Sequence, residues 1–493
     1  MAEGGAEHGA EHGAEHGAEH GAEHGAEHGA EDRAEADAGE RSGGAAPLRV
    51  LHVSWPTAGG VAGYVAQVAG DQRRRGWDVA VAAPPGGDLS ARCAAAGVPW
   101  FRWPAGRAPG PRTLPEVLRL RRLVRGFAPD VIHLHSAKAG LAGRLLRRRG
   151  TPVIFQPHGW SWLAATGPQV LVSRCWERLA ARRSDALICV GNGELEEGRR
   201  AGVRGPYRLV RNGVDRRRFT PAGDDARRAA RTRLGLPAGA PLAVCVGRLT
   251  RQKAQDVLLA AWPDVIERCP DARLAIVGDG EDLGALKRQA VPGVLFVPAV
   301  ADPRPWLAAS NVVVLPSRWE GLPLTALEAL ATGRPLVGTD VPGISEVLRP
   351  GLGALVPVED PAALADQIAV RLLVPGLAER EGREAAAASA AYDVARTLSL
   401  LAAVTRKVAG LGETPEEVLG DVRAVAGGLL GARGEGALGE GVADGSADGV
   451  GGREEGGGVG GVEGGTGGQV QGVGTAGCAG DGSGAVTPPN SSR

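Results

Sequence analysis

The sequence lacks several features that would indicate a class of protein or a cellular location directly. The 493 residues carry 56 basic and 56 acidic side chains, so no net charge draws the protein to nucleic acid or to an anionic membrane. No window approaches about 18 uninterrupted apolar residues, which argues against a membrane-spanning helix. The start, MAEGGAEHG, is acidic where a secretory signal is basic and then apolar. We therefore expect a cytoplasmic protein without a nucleic-acid partner.

Cysteine pairs are missing as well. The six cysteines form no C-x-x-C pair and show none of the spacings that are typical of metal ligands. Reduced, mostly buried thiols in a cytosolic protein are the predicted state. The positions are Cys93, Cys175, Cys189, Cys245, Cys269 and Cys478.

Both ends of the chain lack the apolar residues that a folded core needs. Residues 4–32 repeat Gly-Ala-Glu-His. Glycine at every fourth position disfavours a helix by about 1 kcal/mol each relative to alanine, so we predict that residues 1–46 are a disordered tail. The alternative is a weak metal-binding or pH-sensitive arm formed by the histidines. Residues 411–493 contain 28 glycines without a triplet period, which predicts a second disordered tail.

Between these tails, short apolar runs alternate with amphipathic stretches. The runs include LRVLHVS, DVIHLH and PVIFQ in the first half, and PLAVCVG, RLAIVG and NVVVLP in the second. Continuous apolar strands separated by helices predict parallel sheets covered on both faces. We expect an α/β fold with two doubly wound, Rossmann-like domains, 47–215 and 216–390, which face a central crevice. A terminal helix within 391–410 should cross back to the first domain.

The segment SRWEGLPLTALEAL (317–330) follows an apolar strand and leads into a helical pattern. Pro323 suits the first turn of a helix, and Gly321 lets the backbone approach a ligand closely. The free N–H groups of that helix start would face the crevice and suit a phosphate. Glu328 is then placed to accept hydrogen bonds from ribose hydroxyls, and Glu320 from those of a sugar. The alternative is two solvated glutamates that flank a helix start.

Other candidate residues follow the ends of predicted strands. In VGRLTRQKAQDVLLAAW, Arg248 comes just after a strand and Lys253 opens the next helix, so both could neutralise a diphosphate in the crevice. Taken alone, solvation at the surface explains this pair equally well. Gly59 and Gly60 follow the first strand, and His158 in QPHGW follows a later one. The alternatives here are a flexible turn and a structural or helix-capping histidine.

Taken together, three segments resemble the retaining glycosyltransferases of family 4, which have the GT-B fold. They are GRLTRQKAQDVLLAA, VGDGEDLGALK and PSRWEGLPLTALEALATGRPLVGTDVPGISEVL, preceded by HGW and NGVD. The resemblance covers nearly all of residues 47–410. It implies transfer from a UDP-, GDP- or ADP-linked sugar without a cofactor. It also implies attack from the face that the diphosphate leaves, with a donor phosphate oxygen helping to take the acceptor proton.

The resemblance assigns roles to residues that match the family's motifs. It implies that Arg248 and Lys253 hold the diphosphate, that Glu320 contacts the donor sugar, and that Glu328 contacts the ribose. The other implied contacts are Gly59 and Gly60 beside the phosphate and acceptor, His158 at the sugar near the reacting carbon, and the N–H groups of Gly321 and Leu322 at the phosphate or sugar. Because the crevice offers cations and no carboxylates arranged to hold an ion, we predict that no divalent metal is required.

Some positions depart from these patterns. Pro298-Ala299 and Ala254 stand where the family usually has glycine, so the nucleobase contacts are not carried over. GDGEDLG imitates a dinucleotide fingerprint, but it follows the second strand of its domain and has the wrong spacing, so no nicotinamide or flavin is expected. His133 and His135 lie on one face of a strand without a third ligand in sequence, which favours a polar pair near the acceptor site over zinc.

The sequence allows more than one interpretation of the acceptor and of contact with a membrane. RTLPEVLRLRRLVRGF (112–127) and RLLRRRG (144–150) are locally basic, which indicates either a solvated helix face or a helix lying on an anionic bilayer. LHSAKAGLAGRLL is similar to a segment of family members that build surface or exopolysaccharide glycans on polyprenyl carriers. We therefore expect a glycan or lipid-linked acceptor and peripheral contact with the inner face of the membrane. The rival functions are a glycosyl phosphorylase on the same fold and a non-catalytic sugar-nucleotide sensor.

Overall fold

The computed structural model describes residues 46–146, 150–289 and 291–412. All of them belong to one structural unit. The two predicted tails fall outside the described residues except for positions 46, 411 and 412. Cys478 and residues 147–149 of the second basic segment also lie outside them.

The first domain alternates strands with helices. Its elements are β1 Arg49–Ser54, α1 Gly59–Arg74, β2 Asp78–Ala83, α2 Leu89–Ala95, β3 Trp100–Arg102, α3 Thr113–Phe127, β4 Val131–His135, α4 Ser136–Leu145, β5 Val153–Gln156, α5 Pro168–Ala180, β6 Ala186–Cys189, α6 Asn192–Arg200 and β7 Tyr207–Leu209. Among the described residues the sheet order is β3-β2-β1-β4-β5-β6-β7, with every neighbouring pair parallel. Helices cover both faces, which is why the strands read as unbroken apolar runs.

The second domain repeats this plan. Its elements are α7 Asp224–Arg233, β8 Leu242–Val246, α8 Gln255–Arg268, β9 Arg273–Val277, α9 Leu283–Arg288, β10 Val294–Val297, α10 Arg304–Ala309, β11 Val312–Leu315, α11 Leu324–Ala331, β12 Leu336–Thr339, α12 Pro342–Ser345, β13 Gly353–Val356, α13 Pro361–Leu373 and α14 Leu377–Ala388. Its described strands form a parallel sheet in the order β10-β9-β8-β11-β12-β13. The two sheets confirm the predicted pair of doubly wound domains.

The last described helix, α15 (Val394–Val408), returns to the first domain. Leu398 and Leu401 are buried in the apolar cluster that also contains residues of β1 and α1. At the start of the helix, the Thr397 hydroxyl donates a hydrogen bond of 2.8 Å to the carbonyl of Arg211. The end of the second domain is thereby tied to the first.

The described helices were also compared with the length and hydropathy of a membrane span. None of them is by itself long and apolar enough to cross a membrane. The pair 361–373 and 377–392, bent by 100° at the break, meets the length and composition of a span only when joined. Leu364 and Ile368 of that pair are fully buried in the core of the second domain.

Candidate functional site

The turn before α11 presents unpaired backbone donors. The helix begins at Leu324, so Pro323 occupies the N-cap position and not the predicted first turn. No acidic side chain lies in the first turn of this helix, and no side chain of the described chain caps it. The N–H groups of Gly321, Leu322 and Leu324 donate no hydrogen bond within the described residues. This helix start therefore offers free donors and a positive dipole end to an anion.

Lys253 and Glu320 are direct partners. The Lys253 Nζ lies 2.5 Å from Glu320 Oε1, and the Ser317 hydroxyl donates to the same oxygen at 2.7 Å. Both charged side chains are largely shielded, with 16% and 6% of their surfaces exposed. The pair fixes the ammonium beside the α11 turn and leaves two of its three N–H donors for another ligand.

Arg248 stands on the loop after β8 with its side chain exposed. Its guanidinium makes one long contact, 3.4 Å from Nη2 to Gln252 Oε1, and has no carboxylate partner in the described chain. Gln252 in turn donates to the carbonyl of Trp319 at 3.0 Å, which joins this loop to the α11 turn. The loop that carries this guanidinium, which can bind two oxygens at once, is thereby joined to the turn with the free N–H groups.

The glycines of the dinucleotide-like segment have a packing role. A Cβ on Gly278 would lie 1.9 Å from the Gly247 carbonyl oxygen, and one on Gly280 would lie 2.1 Å from that of Leu249. Only glycine lets these two loops lie against each other. This contact holds the loop after β9 against the Arg248 loop, and it explains Gly278 and Gly280 without a dinucleotide.

Glu328 lies on α11, apart from the Lys253–Glu320 pair. It is half-buried, and its carboxylate has no hydrogen-bond partner among the described residues. Burial raises the pKa of Glu328 to about 7; nearby Arg218 lowers it and nearby Asp302 raises it further. A carboxylate with free lone pairs at this position can accept hydrogen bonds from hydroxyl groups.

The glycine pair of the first domain approaches the same helix start. Gly59 has φ +76°, a left-handed conformation that glycine adopts without strain. A Cβ on Gly60 would lie 3.4 Å from Leu324 Cδ1. The structure thus brings the start of α1 against α11 across the crevice.

His158 lies on the first-domain wall of the crevice, opposite α11, and has an unusual backbone conformation. Its φ is +54°, and that of Gly159 is +102°. Glu194 holds this turn, because its Oε1 accepts the Gly159 N–H at 2.5 Å and its Oε2 accepts the Val190 N–H at 2.8 Å. Burial raises the pKa of Glu194 to about 7, against the effect of these two hydrogen bonds. A Cβ on Gly321 would lie 4.0 Å from Glu194 Oε1, so Glu194 borders both turns.

Sequence reasoning missed Glu194. The signal for it was VGNGELEEG, where an acidic residue follows a strand end and opens a helix.

Sequence reasoning named His133 and His135 as a polar pair but missed their connection to His52 and His158. His52 on β1 is in register with His133 on β4, and His135 lies two residues further along β4. His135 links the two sides: its Nε2 lies 3.0 Å from His52 Nδ1, and its Nδ1 lies 3.1 Å from His158 Nε2. Beyond His52, the side-chain oxygen of Gln72 lies 2.8 Å from His52 Nε2.

These imidazoles are neutral. Burial lowers the pKa of His52 to about 4 and that of His158 to about 3. Burial and the neighbouring histidines hold the pKa values of His133 and His135 well below the usual range.

His52 supplies the third histidine that the sequence seemed to lack beside His133 and His135. One nitrogen from each of the three lies within 4.8 Å of the others. The arrangement of the rings nevertheless does not suit a metal. His133 and His135 are stacked, with centroids 4.0 Å apart and an interplanar angle of 29°. A metal lies in the plane of each imidazole that binds it, at about 2.0–2.1 Å, and the planes of two rings stacked in this way meet only well beyond that distance. The group is better described as a hydrogen-bonded chain of His52, His135 and His158, with the ring of His133 stacked on His135.

Two family models match the chain. The one described as Glycosyl transferase 4-like domain matches residues 59–213, and the one described as Glycosyl transferases group 1 matches residues 240–373. Together they span both walls of the crevice.

Curated relatives and solved structures agree with these matches. The chain is 33% identical over 248 residues to the Escherichia coli UDP-Gal:alpha-D-GlcNAc-diphosphoundecaprenol alpha-1,3-galactosyltransferase, covering 47% of this chain and 63% of that protein, a little under two thirds. It is 30% identical to a GDP-mannose-dependent monoacylated alpha-(1-6)-phosphatidylinositol monomannoside mannosyltransferase of Corynebacterium glutamicum, covering 54% of this chain and 72% of the relative. Anabaena HepE, solved in complex with UDP-glucose, superposes with a TM-score of 0.63 at 21% identity, over 73% of this chain and 100% of HepE, which shows the shared fold.

Proposed function

Because the chain belongs to glycosyltransferase family 4, we propose that it transfers a sugar from a nucleotide-diphosphate sugar to an acceptor with retention of anomeric configuration. The observation that carries the proposal is the group of positive charges and free donors at the α11 turn. Within the described chain Arg248 has no carboxylate partner, Lys253 is held beside Glu320, and the N–H groups of the turn have no partner. This arrangement suits a diphosphate that leaves a sugar.

Each of these groups has a role in the proposed reaction. Arg248 binds two phosphate oxygens, Lys253 adds a second positive charge, and the Gly321 and Leu322 N–H groups complete the site. Glu320 accepts hydrogen bonds from the donor sugar. Negative charge on the diphosphate grows as the sugar leaves, so these donors stabilise the transition state more than the bound substrate. The acceptor attacks from the side of the leaving diphosphate, and a phosphate oxygen takes its proton, so no carboxylate base is needed.

The direct test uses the full chain with UDP-, GDP- and ADP-glucose and a polyprenyl-diphosphate-linked GlcNAc acceptor. Released nucleotide measures turnover, and the coupling of the new anomeric proton in the NMR spectrum shows whether the donor's configuration is kept. Sugar phosphate formed from a glycan and inorganic phosphate, without nucleotide, would support the phosphorylase instead. Binding of a donor without hydrolysis or transfer would support the sensor.

We propose that transfer requires no divalent metal. Glu320 Oε1 is already engaged by Lys253 and Ser317, and the group of metal-type ligands that the described residues bring together is the histidine group of the first domain. Initial rates should therefore stay within about twofold in excess EDTA, because cations of the chain stabilise the leaving diphosphate. Loss of activity with EDTA and its recovery with Mn²⁺ would contradict this mechanism. A manganese-dependent transferase in the same buffer serves as the control for chelation.

Donor affinity should depend on the ionisation of Glu328. The free carboxyl has a pKa of about 7, and ribose hydroxyls are best accepted by its ionised form. Protons therefore compete with the donor, and the Kd for UDP-glucose should rise about tenfold between pH 8 and pH 6 while changing little above pH 8. The diphosphate of this ligand, esterified at both ends, does not titrate in that range.

Glu328→Gln should bind UDP-glucose more weakly at pH 8 and lose most of this pH dependence. Isothermal titration at several pH values measures both effects. The exposed Glu384 on α14 supplies the control, since Glu384→Gln removes one charge from the same domain without touching α11. An unchanged Kd in Glu328→Gln would exclude the ribose role.

We propose further that the acceptor is lipid-linked and that the first domain contacts the membrane. Exposed apolar side chains on α3 and α5 lie among arginines, a composition that suits an anionic bilayer. The exposed apolar residues are Leu114, Leu118, Leu171, Val172 and Leu179.

This surface predicts binding to phosphatidylglycerol vesicles. Leu171→Asp combined with Val172→Asp should abolish co-sedimentation with these vesicles, because it places two charges on the bilayer-facing side of α5. The Kd for UDP-glucose should stay unchanged. Val374→Asp, at an exposed position of the second domain, is the matched control. Equal sedimentation of wild type and the double variant would contradict the membrane contact.

A further inference from the structure

Behind His158 lies a chain of hydrogen bonds that the proposed reaction does not yet use. It runs from Gln72 on α1 through His52 on β1 and His135 on β4 to His158 on the loop after β5. Gln72, His52 and His135 have at most 1% of their surface exposed. The chain therefore starts in the core and ends at the wall of the crevice.

The order of donors and acceptors along this chain is fixed from one end. A neutral imidazole has one N–H and one lone pair, so each ring must donate on one side and accept on the other. The Gln72 oxygen can only accept, which places the proton of His52 on Nε2 and leaves its Nδ1 as an acceptor. His135 then donates from Nε2 to His52, and its Nδ1 accepts from the Nε2–H of His158.

We propose that Gln72, His52 and His135 are positioning residues that hold His158 as its Nε2–H tautomer, so that its Nδ1 accepts a hydrogen bond from a hydroxyl of the donor sugar. The sugar part of this inference rests on the proposed function, whereas the tautomer does not. Nδ1 of His158 has no hydrogen-bond partner among the described residues and, unlike the ring nitrogens of His133, is not enclosed.

The surroundings of His158 support a positioning role over a purely structural one. A positive φ is uncommon for histidine and is strained, so the turn persists only because its neighbours hold it. Glu194 fixes the following N–H, and the Tyr64 ring packs edge-on against the imidazole at 5.2 Å between centroids. These contacts hold the imidazole in one orientation, which a hydrogen bond of defined direction requires.

The tautomer can be measured without any assay of activity. Two-bond proton–nitrogen correlation spectra of ¹⁵N-histidine-labelled full chain distinguish Nε2–H from Nδ1–H for each ring. His158→Asn assigns the signal of His158, because asparagine tolerates the left-handed backbone. The expected result is the Nε2–H form in the wild type and in Gln72→Glu, and a mixture of forms in Gln72→Met, whose thioether is only a weak acceptor. An Nδ1–H form in the wild type, or an unchanged tautomer in Gln72→Met, would overturn the proposal.

Kinetics then test the contact with the sugar. Gln72→Met should lower kcat/KM for UDP-glucose, or for whichever of the three donors is turned over, about tenfold, which corresponds to one hydrogen bond. The Kd for UDP, which has no sugar, should not change, and Gln72→Glu should restore most of the rate. Gln67→Met on the same helix is the matched control. An unchanged kcat/KM in Gln72→Met refutes the sugar contact. If no variant binds or turns over a donor while the tautomer shifts as expected, the proposed function fails and the tautomer assignment stands.

Discussion

Arg248→Ala should lower kcat about 100-fold while changing the Kd for the donor sugar nucleotide only a few-fold. The guanidinium has no carboxylate partner in the described chain, so its charge is free to follow the charge that develops on the leaving diphosphate. Loss of one preorganised donor to a developing anion costs about 3 kcal/mol in the transition state. Stopped-time assays at saturating donor give kcat, and titration calorimetry with the donor alone gives Kd.

Two further variants separate charge from geometry. Arg248→Lys keeps the charge without the planar pair of donors, so it should recover part of the lost rate. Arg273→Ala removes an arginine at the opposite, amino-terminal end of the same sheet and should leave kcat unchanged. A large rise in Kd for Arg248→Ala with wild-type kcat would show that Arg248 acts only in ground-state binding.

The fold was predictable because its strands are buried on both faces. β8 and β11 read LAVCV and VVVL without interruption, a pattern that parallel sheets covered by helices impose. The short amphipathic stretches between them predicted the covering helices. The start of α11 was predicted one residue early, because proline suits both the N-cap and the first turn.

The candidate residues of the site were indicated by local patterns, because each follows a strand end or lies on one strand-turn-helix segment. Arg248 and Lys253 follow one strand, and Glu320 and Glu328 lie on one such segment. The ion pair between Lys253 and Glu320 joins residues 67 positions apart. No local pattern shows that these two side chains meet, since the contact depends on how β8 and β11 lie side by side.

The histidine chain is the clearest case of a feature hidden from sequence. His52 sits in an apolar strand, where one polar residue reads as an isolated core histidine. Its partner His135 is 83 positions away, and Gln72 is on the helix between. The register of β1 against β4 brings these side chains together, and register is a property of the folded sheet.

The largest effect on stability should come from breaking the buried ion pair that packs against Phe155 of β5. Arg144 and Glu177 form two parallel hydrogen bonds of 2.7 and 2.9 Å and are 0% and 2% exposed. Arg144 also donates to the Gly140 carbonyl at 2.8 Å, and its guanidinium stacks 3.8 Å from the centre of the Phe155 ring. Glu177→Gln removes the negative charge and keeps the volume, so it leaves a guanidinium buried without a counter-charge. We expect it to lower the free energy of unfolding by about 3–5 kcal/mol.

Urea denaturation of the single and double variants identifies the source of that loss. If it comes from the stranded charge, then replacing both partners by leucine should recover most of it, since two apolar side chains carry no desolvation cost. The exposed pair Arg200–Glu196, 3.6 Å apart, is the control, and Glu196→Gln should change the free energy by less than about 1 kcal/mol. A double variant as unstable as Glu177→Gln would mean that packing against Phe155, and not the unpaired charge, dominates the energetics. Because Phe155 lies three positions before His158 on the same strand and loop, such a result would also make Arg144 part of the support of the crevice wall.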